Sequence, residues 1–182
     1  MAYTIGYPDG CVEEDVHHEC DDCEAQEGAR VRSAFFVLES YEFADPTSVA
    51  EWQQAIEDGN VTVIPKTNGS FDGGTPNYGP GFGDQLQNYI NSTFKATFRD
   101  PNLKSNYDFY EGKKKSLRWK FGFRTASLVW ISDVICTVAP KAVVADDTTA
   151  GVYWEVDVSW ISKNHPEPFT APANIFECFT LE

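Results

Sequence analysis

Basic side chains are the first scarcity. The 182-residue chain sets 14 Lys and Arg against 28 Asp and Glu, a formal charge of −14. Phosphates repel a surface of that sign, so general nucleic-acid binding is disfavoured. The same charge suits a protein that must stay soluble, or a surface that must not stick to DNA. Long apolar runs are also missing. Stretches such as Leu128-Val-Trp-Ile131 fall far short of the roughly 20 residues a membrane-spanning helix needs. The opening Met1-Ala-Tyr-Thr-Ile-Gly has neither the basic start nor the apolar run of a signal peptide. The expectation is a chain made in a cytoplasm, with no membrane partner. A single Met argues against a loosely packed, adaptable helical surface.

Catalytic patterns are absent as well. The glycine-rich stretch lacks Gly-Lys-Ser/Thr, and Gly79-Pro-Gly81-Phe-Gly83 fails the dinucleotide spacing. Gly69-Ser70-Phe71-Asp72-Gly73 does not place its serine centrally between glycines, as a nucleophile elbow requires. His165 is the one histidine outside the first 28 residues, and no Ser-His-Asp or Cys-His arrangement around it is supported by the sequence. An acidic chain offers too many carboxylate pairs to single one out. The sequence predicts a non-enzymatic protein.

What is present is aromatic. Thirteen Phe, eight Tyr and five Trp in a chain of single-domain length give an aromatic core and aromatic contacts. Residues 1–28 stand apart as an arm, with nine Asp and Glu and no Lys or Arg, and residues 29–182 read as one β-rich domain. The arm also holds Cys11, His17 (or His18), Cys20 and Cys23. Cys20 and Cys23 have the spacing that turns two thiolates onto one tetrahedral ion, which makes the four a candidate structural zinc site. Zinc would neutralise part of the carboxylate charge and hold together a segment poor in apolar residues. Free thiols, or a loop disulfide formed after release from the cell, are the competing readings. Cys136 and Cys178 lie in strand-like segments and read as buried apolar side chains.

The domain reads as an antiparallel β-sandwich or barrel with one short flanking helix. Arg30–Glu39 is a strand rich in β-branched and aromatic residues. A helix over about 47–58 follows, with Ser48 and Glu51 at capping-box spacing, Val49, Trp52 and Ile56 on one face, and Gly59 as its stop. Val61–Ile64 is a short strand ending at Pro65, and residues 66–83 form a long Gly-rich loop. Asn91–Phe98 resumes a strand. Leu117, Trp119, Phe121 and Phe123 alternate with polar residues and glycine, and Val152, Trp154, Val156, Val158 and Trp160 do the same. That period of two marks half-buried strands. Asn174–Leu181 is a last candidate strand. The cations around Lys113–Lys115, Arg118, Lys120 and Arg124 fall opposite the aromatics, so bases could not meet both together. They are expected to pair with acidic positions such as Glu155 and Asp157, within or between subunits.

Several passages share an order with a known class. They are Ala50-Glu51-Trp52 with Gly59, Val63-Ile-Pro65, Gly69-Ser-Phe-Asp-Gly-Gly74, Gly81-Phe-Gly83, Phe98-Arg-Asp100, Asn106-Tyr-Asp-Phe109 and Trp154–Trp160. Over roughly residues 30–182 they resemble virion structural proteins of tailed bacteriophages, especially tail-tube subunits. The resemblance implies a β-sandwich or barrel flanked by a helix, assembling with copies of itself into stacked rings that conduct DNA without binding it specifically. It implies a virion location, other virion proteins as partners, and no catalytic residues. It also implies that the 66–83 segment, through Gly69, Phe71, Gly73, Gly74, Tyr78 and Phe82, is the inter-subunit contact. The Cys/His arm departs from the tube pattern and leaves open a head–tail connector or capsid decoration protein. A carbohydrate-binding module using Trp and Tyr is a further alternative.

Overall fold

A computed structural model describes residues 30–176 except 85, 145 and 147–150. In chain order it runs β1 (Ser33–Leu38), α1 (Val49–Glu57), β2 (Val61–Ile64), β3 (Asn68–Phe71), β4 (Thr75–Pro80) and β5 (Gln87–Asp100). Then come α2 (Tyr107–Lys115), β6 (Trp119–Arg124), β7 (Leu128–Ile135), β8 (Thr137–Val143), β9 (Tyr153–Ser162) and β10 (Pro168–Thr170). One antiparallel sheet has the order β10-β7-β6-β1-β2, and the second has β3-β5-β9-β8 with β4 also paired to β5. The expected mainly β, sandwich-like architecture with a flanking helix is what the chain adopts.

The two sheets enclose the main core. Ala34, Phe36, Phe121 and Phe123 face Phe94, Phe98, Val156, Val158 and Trp160. The other face of the first sheet is also covered: Phe35, Val37, Val61 and Val129 pack with Trp52 of α1 and with Phe176. This is why β1 is buried from Ser33 to Val37 and shows no alternation. β9, with one face in solvent, alternates cleanly from Trp154 to Trp160 as expected. Val152 and Leu117 lie outside their strands and are exposed.

α1 begins where the sequence places it. Ser48 Oγ accepts from Glu51 N, but Glu51 does not return the bond to Ser48 as a capping box would. Its carboxylate reaches further back, to the N–H groups of Ala44 and Asp45 at 2.6 and 2.8 Å. Gly59 takes φ +74, the left-handed stop. Trp52 and Ala55 are the buried residues of α1, while Ile56 turns toward solvent.

Two expectations are corrected. Residues 66–83 are not a continuous loop, since they carry β3 and β4, both paired to the 14-residue β5. A second helix, α2, follows β5. It packs Tyr110 on Trp154 and Phe109 on Phe36. Of the expected last strand, residues 174–176 form a turn, with Asn174 at φ +62, and the remainder lies outside the described residues. Cys136 is buried, its thiol bonded to the Trp119 carbonyl. Cys178 lies outside the described residues.

Candidate assembly surface

β5 is longer than its neighbours, and that mismatch makes the most conspicuous surface feature. Its pairing with β9 begins only at Ser92, opposite Ser162. Before that point, among the described residues, its ladder is with β4 alone, from Asn77↔Asn91 out to Pro80↔Gln87. β4 and the start of β5 therefore project from the sandwich as a two-stranded ribbon. An isolated ribbon of this kind has little stability of its own. Its root is fastened: the Tyr89 hydroxyl donates to the Lys163 carbonyl at 2.7 Å and shares a hydrogen bond with Ser92 Oγ. One edge carries a polar clamp, with Asn77 Nδ2 donating to Asn91 Oδ1 and Thr93 Oγ1 at 2.8 and 2.9 Å.

The tip is apolar and open. Gly81 N donates to the Leu86 carbonyl, closing the connection, and Gly83 supplies a left-handed turn at φ +61. Phe82 is 85% exposed and Leu86 92%, and Tyr78, Tyr89 and Ile90 are exposed nearby. Clustered apolar side chains in water, held out on a ribbon, make this tip a candidate interaction surface.

The six residues expected as a contact loop divide into two groups. Gly69 and Phe71 belong to β3, and the Phe71 ring stacks on Phe94 and Trp160 in the core. Gly73 and Gly74 make a turn at φ +75 and +90, fixed by Asp72 Oδ1 accepting from Gly74 N and Lys95 N. A β-carbon on Gly74 would strike the Phe94 ring. Tyr78 and Phe82 are the two that project. Leu86, Tyr89 and Ile90 complete the surface and were missed. Their signal was the apolar pair Tyr89-Ile90, which breaks the alternation expected of a half-buried strand.

Charge is distributed unevenly. The outer face of the second sheet is nearly balanced: Lys141 meets Asp157 at 2.9 Å, Arg99 meets Glu155 at 3.6 Å and Lys95 meets Asp157 at 3.9 Å. Hydrogen bonds from Lys141 and Thr97 hold the Asp157 carboxyl below the usual carboxylate range. Glu155 and Asp157 are thus paired as expected, but with cations of β5 and β8. Of the basic cluster expected to pair with them, Lys120 pairs instead with Glu42, at 3.7 Å. Among the described residues, the segment 39–58 around α1 carries six Asp and Glu and no Lys or Arg, and nine more carboxylates fall in residues 1–28, outside the described residues.

A cleft of about 740 Å³, bounded by Glu42 and Pro46 ahead of α1, is walled in part by Lys120, Asp133 and His165. The Ser162 hydroxyl donates directly to Asp133 at 2.6 Å, and the His165 ring lies edge-on to Phe94. Among the described residues there is no cluster of three or more His, Cys, Asp or Glu able to hold a metal ion. Cys11, His17, Cys20 and Cys23 lie outside the described residues. No protein-family model, no characterised protein and no solved structure matches the chain.

Proposed function

We propose that this chain is a non-enzymatic structural subunit that assembles with copies of itself through the projecting β4–β5 hairpin. The observation that carries the reading is the exposed apolar tip, Phe82 and Leu86, on a ribbon that pairs with no strand of the described residues beyond β4. The resemblance to tail-tube subunits extends it to a virion protein, made in a host cytoplasm, that forms rings or a tube and meets other virion proteins. In such a tube the bore that conducts DNA is lined by the carboxylate-rich α1 side, because the second sheet's outer face is largely neutralised by its own ion pairs. One structural zinc, held by Cys11, His17, Cys20 and Cys23, belongs to the same proposal.

Negative-stain electron microscopy with light scattering on the purified protein tests this reading. Rings or hollow tubes that vanish when Phe82 and Leu86 are both changed to Ser support it. A monodisperse monomer over a wide concentration range sinks it, and turns attention to a capsid decoration protein, a head–tail connector or a carbohydrate-binding module.

A further inference from the structure

The hairpin tip needs an acceptor, and one pocket on the same molecule has complementary chemistry. It is a hollow of about 230 Å³ at the end of the sandwich, where Val31 bridges to Gly69. Its walls include the rings of Phe71, Phe123 and Trp130, and Arg30 stands at its rim. The pocket therefore offers apolar walls with a positive charge beside them. The tip has matching groups in a short span: Phe82 and Leu86, with the Asp84 carboxylate between them in sequence.

The tip cannot reach the pocket of its own chain. It extends beyond Gln87, whereas the pocket lies at Gly69, paired to Phe98 near the other end of β5. That stretch of strand spans roughly 35 Å. We infer that the hairpin tip of one copy seats Phe82 and Leu86 among Phe71, Phe123 and Trp130 of a second copy, with Asp84 against Arg30. This rests on the self-assembly reading above and names its acceptor. Donor and acceptor are different patches, so the contact is heterologous and propagates into a ring or stack. Two side chains bury only a few hundred Å² by rough count, below the ~1,200 Å² of a typical stable pair. A single contact is consequently weak, and it gains strength when each copy both donates and accepts in a closed assembly.

Two variants of the full chain separate the halves of the contact. Phe82→Ser with Leu86→Ser removes the tip and keeps the pocket. Thr125→Trp, two residues beyond Phe123 and lining the pocket, fills the pocket and keeps the tip. Sedimentation velocity is expected to show each variant monomeric at concentrations where the wild type assembles, and a 1:1 mixture forming heterodimers only at higher concentration, because one contact then acts without a closed assembly. A charge exchange guards against a misfolded Trp variant. Arg30→Glu and Asp84→Lys each raise the concentration needed for assembly about fivefold, and together they restore it to within about twofold. If the wild type stays monomeric, the self-assembly reading itself fails. If the wild type assembles, Thr125→Trp assembles equally well and the charge exchange restores nothing, the pocket is not the acceptor, although self-assembly stands.

Discussion

The Tyr110 hydroxyl donates a 2.9 Å hydrogen bond to Asp100 Oδ2, joining the end of β5 to the middle of α2 inside the core. Both side chains are fully buried. Asp100 also accepts from Asn102 N and Nδ2 and from Asn106 Nδ2, so one carboxylate organises the whole β5–α2 connection. Asn106 is the residue before α2, and its side chain makes no capping bond to the helix. Asp100→Ala strands several donors at once and is expected to cost about 3 kcal/mol or more in urea unfolding. Tyr110→Phe, which removes one bond of the set, should cost ~1 kcal/mol. Equal losses would show that the carboxylate is not the hub.

Burial, and then the Asp100 charge, push the Tyr110 phenol above its usual value of 10.0. An unfolded tyrosine ionises near that usual value, so the unfolded state releases a proton there that the folded state keeps. The stabilisation is complete below about pH 10 and is lost as pH rises further. In an absorbance titration of tyrosinate, Tyr110→Phe should leave the pre-unfolding amplitude unchanged. A smaller amplitude would mean that Tyr110 ionises in the native state.

Lys113 sits in the last turn of α2, 6% exposed, its ammonium against Trp119 and within 5.4 Å of the Phe36 and Phe109 ring centroids. Burial pushes its amine down to about 7, although the neighbouring Cys136 pulls weakly the other way. Between about pH 7 and the ordinary lysine value of 10.5 the unfolded state binds the extra proton, so stability rises with pH across that window. Urea midpoints at pH 7, 8 and 9 should climb in the wild type, and the climb should flatten in Lys113→Met. Because Met keeps the packing and carries no charge to desolvate, that variant should be more stable than the wild type at pH 7 by about 1 kcal/mol. A steep pH dependence persisting in Lys113→Met would assign the titration to another group.

Gly122 lies beneath the ring of Phe35 on the neighbouring strand, where a β-carbon would overlap the ring. Phe35 is itself held edge-on by Trp52 at 5.0 Å, so it has little room to move. Gly122→Val should destabilise by about 2–3 kcal/mol, measured by thermal or urea unfolding, despite the high strand propensity of Val. Partial rescue by Phe35→Leu would tie the loss to this contact.

The N-terminal arm provides the metal prediction. Elemental analysis of the reduced, purified chain should return one zinc per molecule, lost on Cys20→Ser or Cys23→Ser. A metal-free preparation with freely titrating thiols would end the zinc reading.

Much of the fold was legible because local rules and tertiary demands agree there. The alternation from Trp154 to Trp160 survives intact because β9 has one wet and one dry face. Ser48 and Gly59 bracket α1 because a helix end needs the same chemistry in any fold. α2 escaped notice for the opposite reason. Its Tyr107–Lys115 sequence is polar and contains Gly112, and it is held as a helix by Asp100 and by aromatic rings brought from distant strands. β3 and β4 were hidden by their Gly and Pro, residues with poor strand propensity, since their order comes from the ladder that β5 offers. Within one chain, ion-pair partners differ from those expected because adjacency follows strand order. β9 neighbours β5 and β8, not β6, so Asp157 finds Lys141 and Lys95.

The sequence by itself determined the class of fold, the place of the first helix, the aromatic core and the acidic charge, because periodicity, capping chemistry and composition act within a few residues of one another. Tertiary structure alone decided that both faces of β1 are buried, that α2 exists, and that part of the Gly-rich segment becomes a ribbon with Phe82 and Leu86 at its tip. Those outcomes depend on which strands become neighbours and where their lengths fail to match. Such pairings join residues far apart in the chain, and no local pattern encodes them.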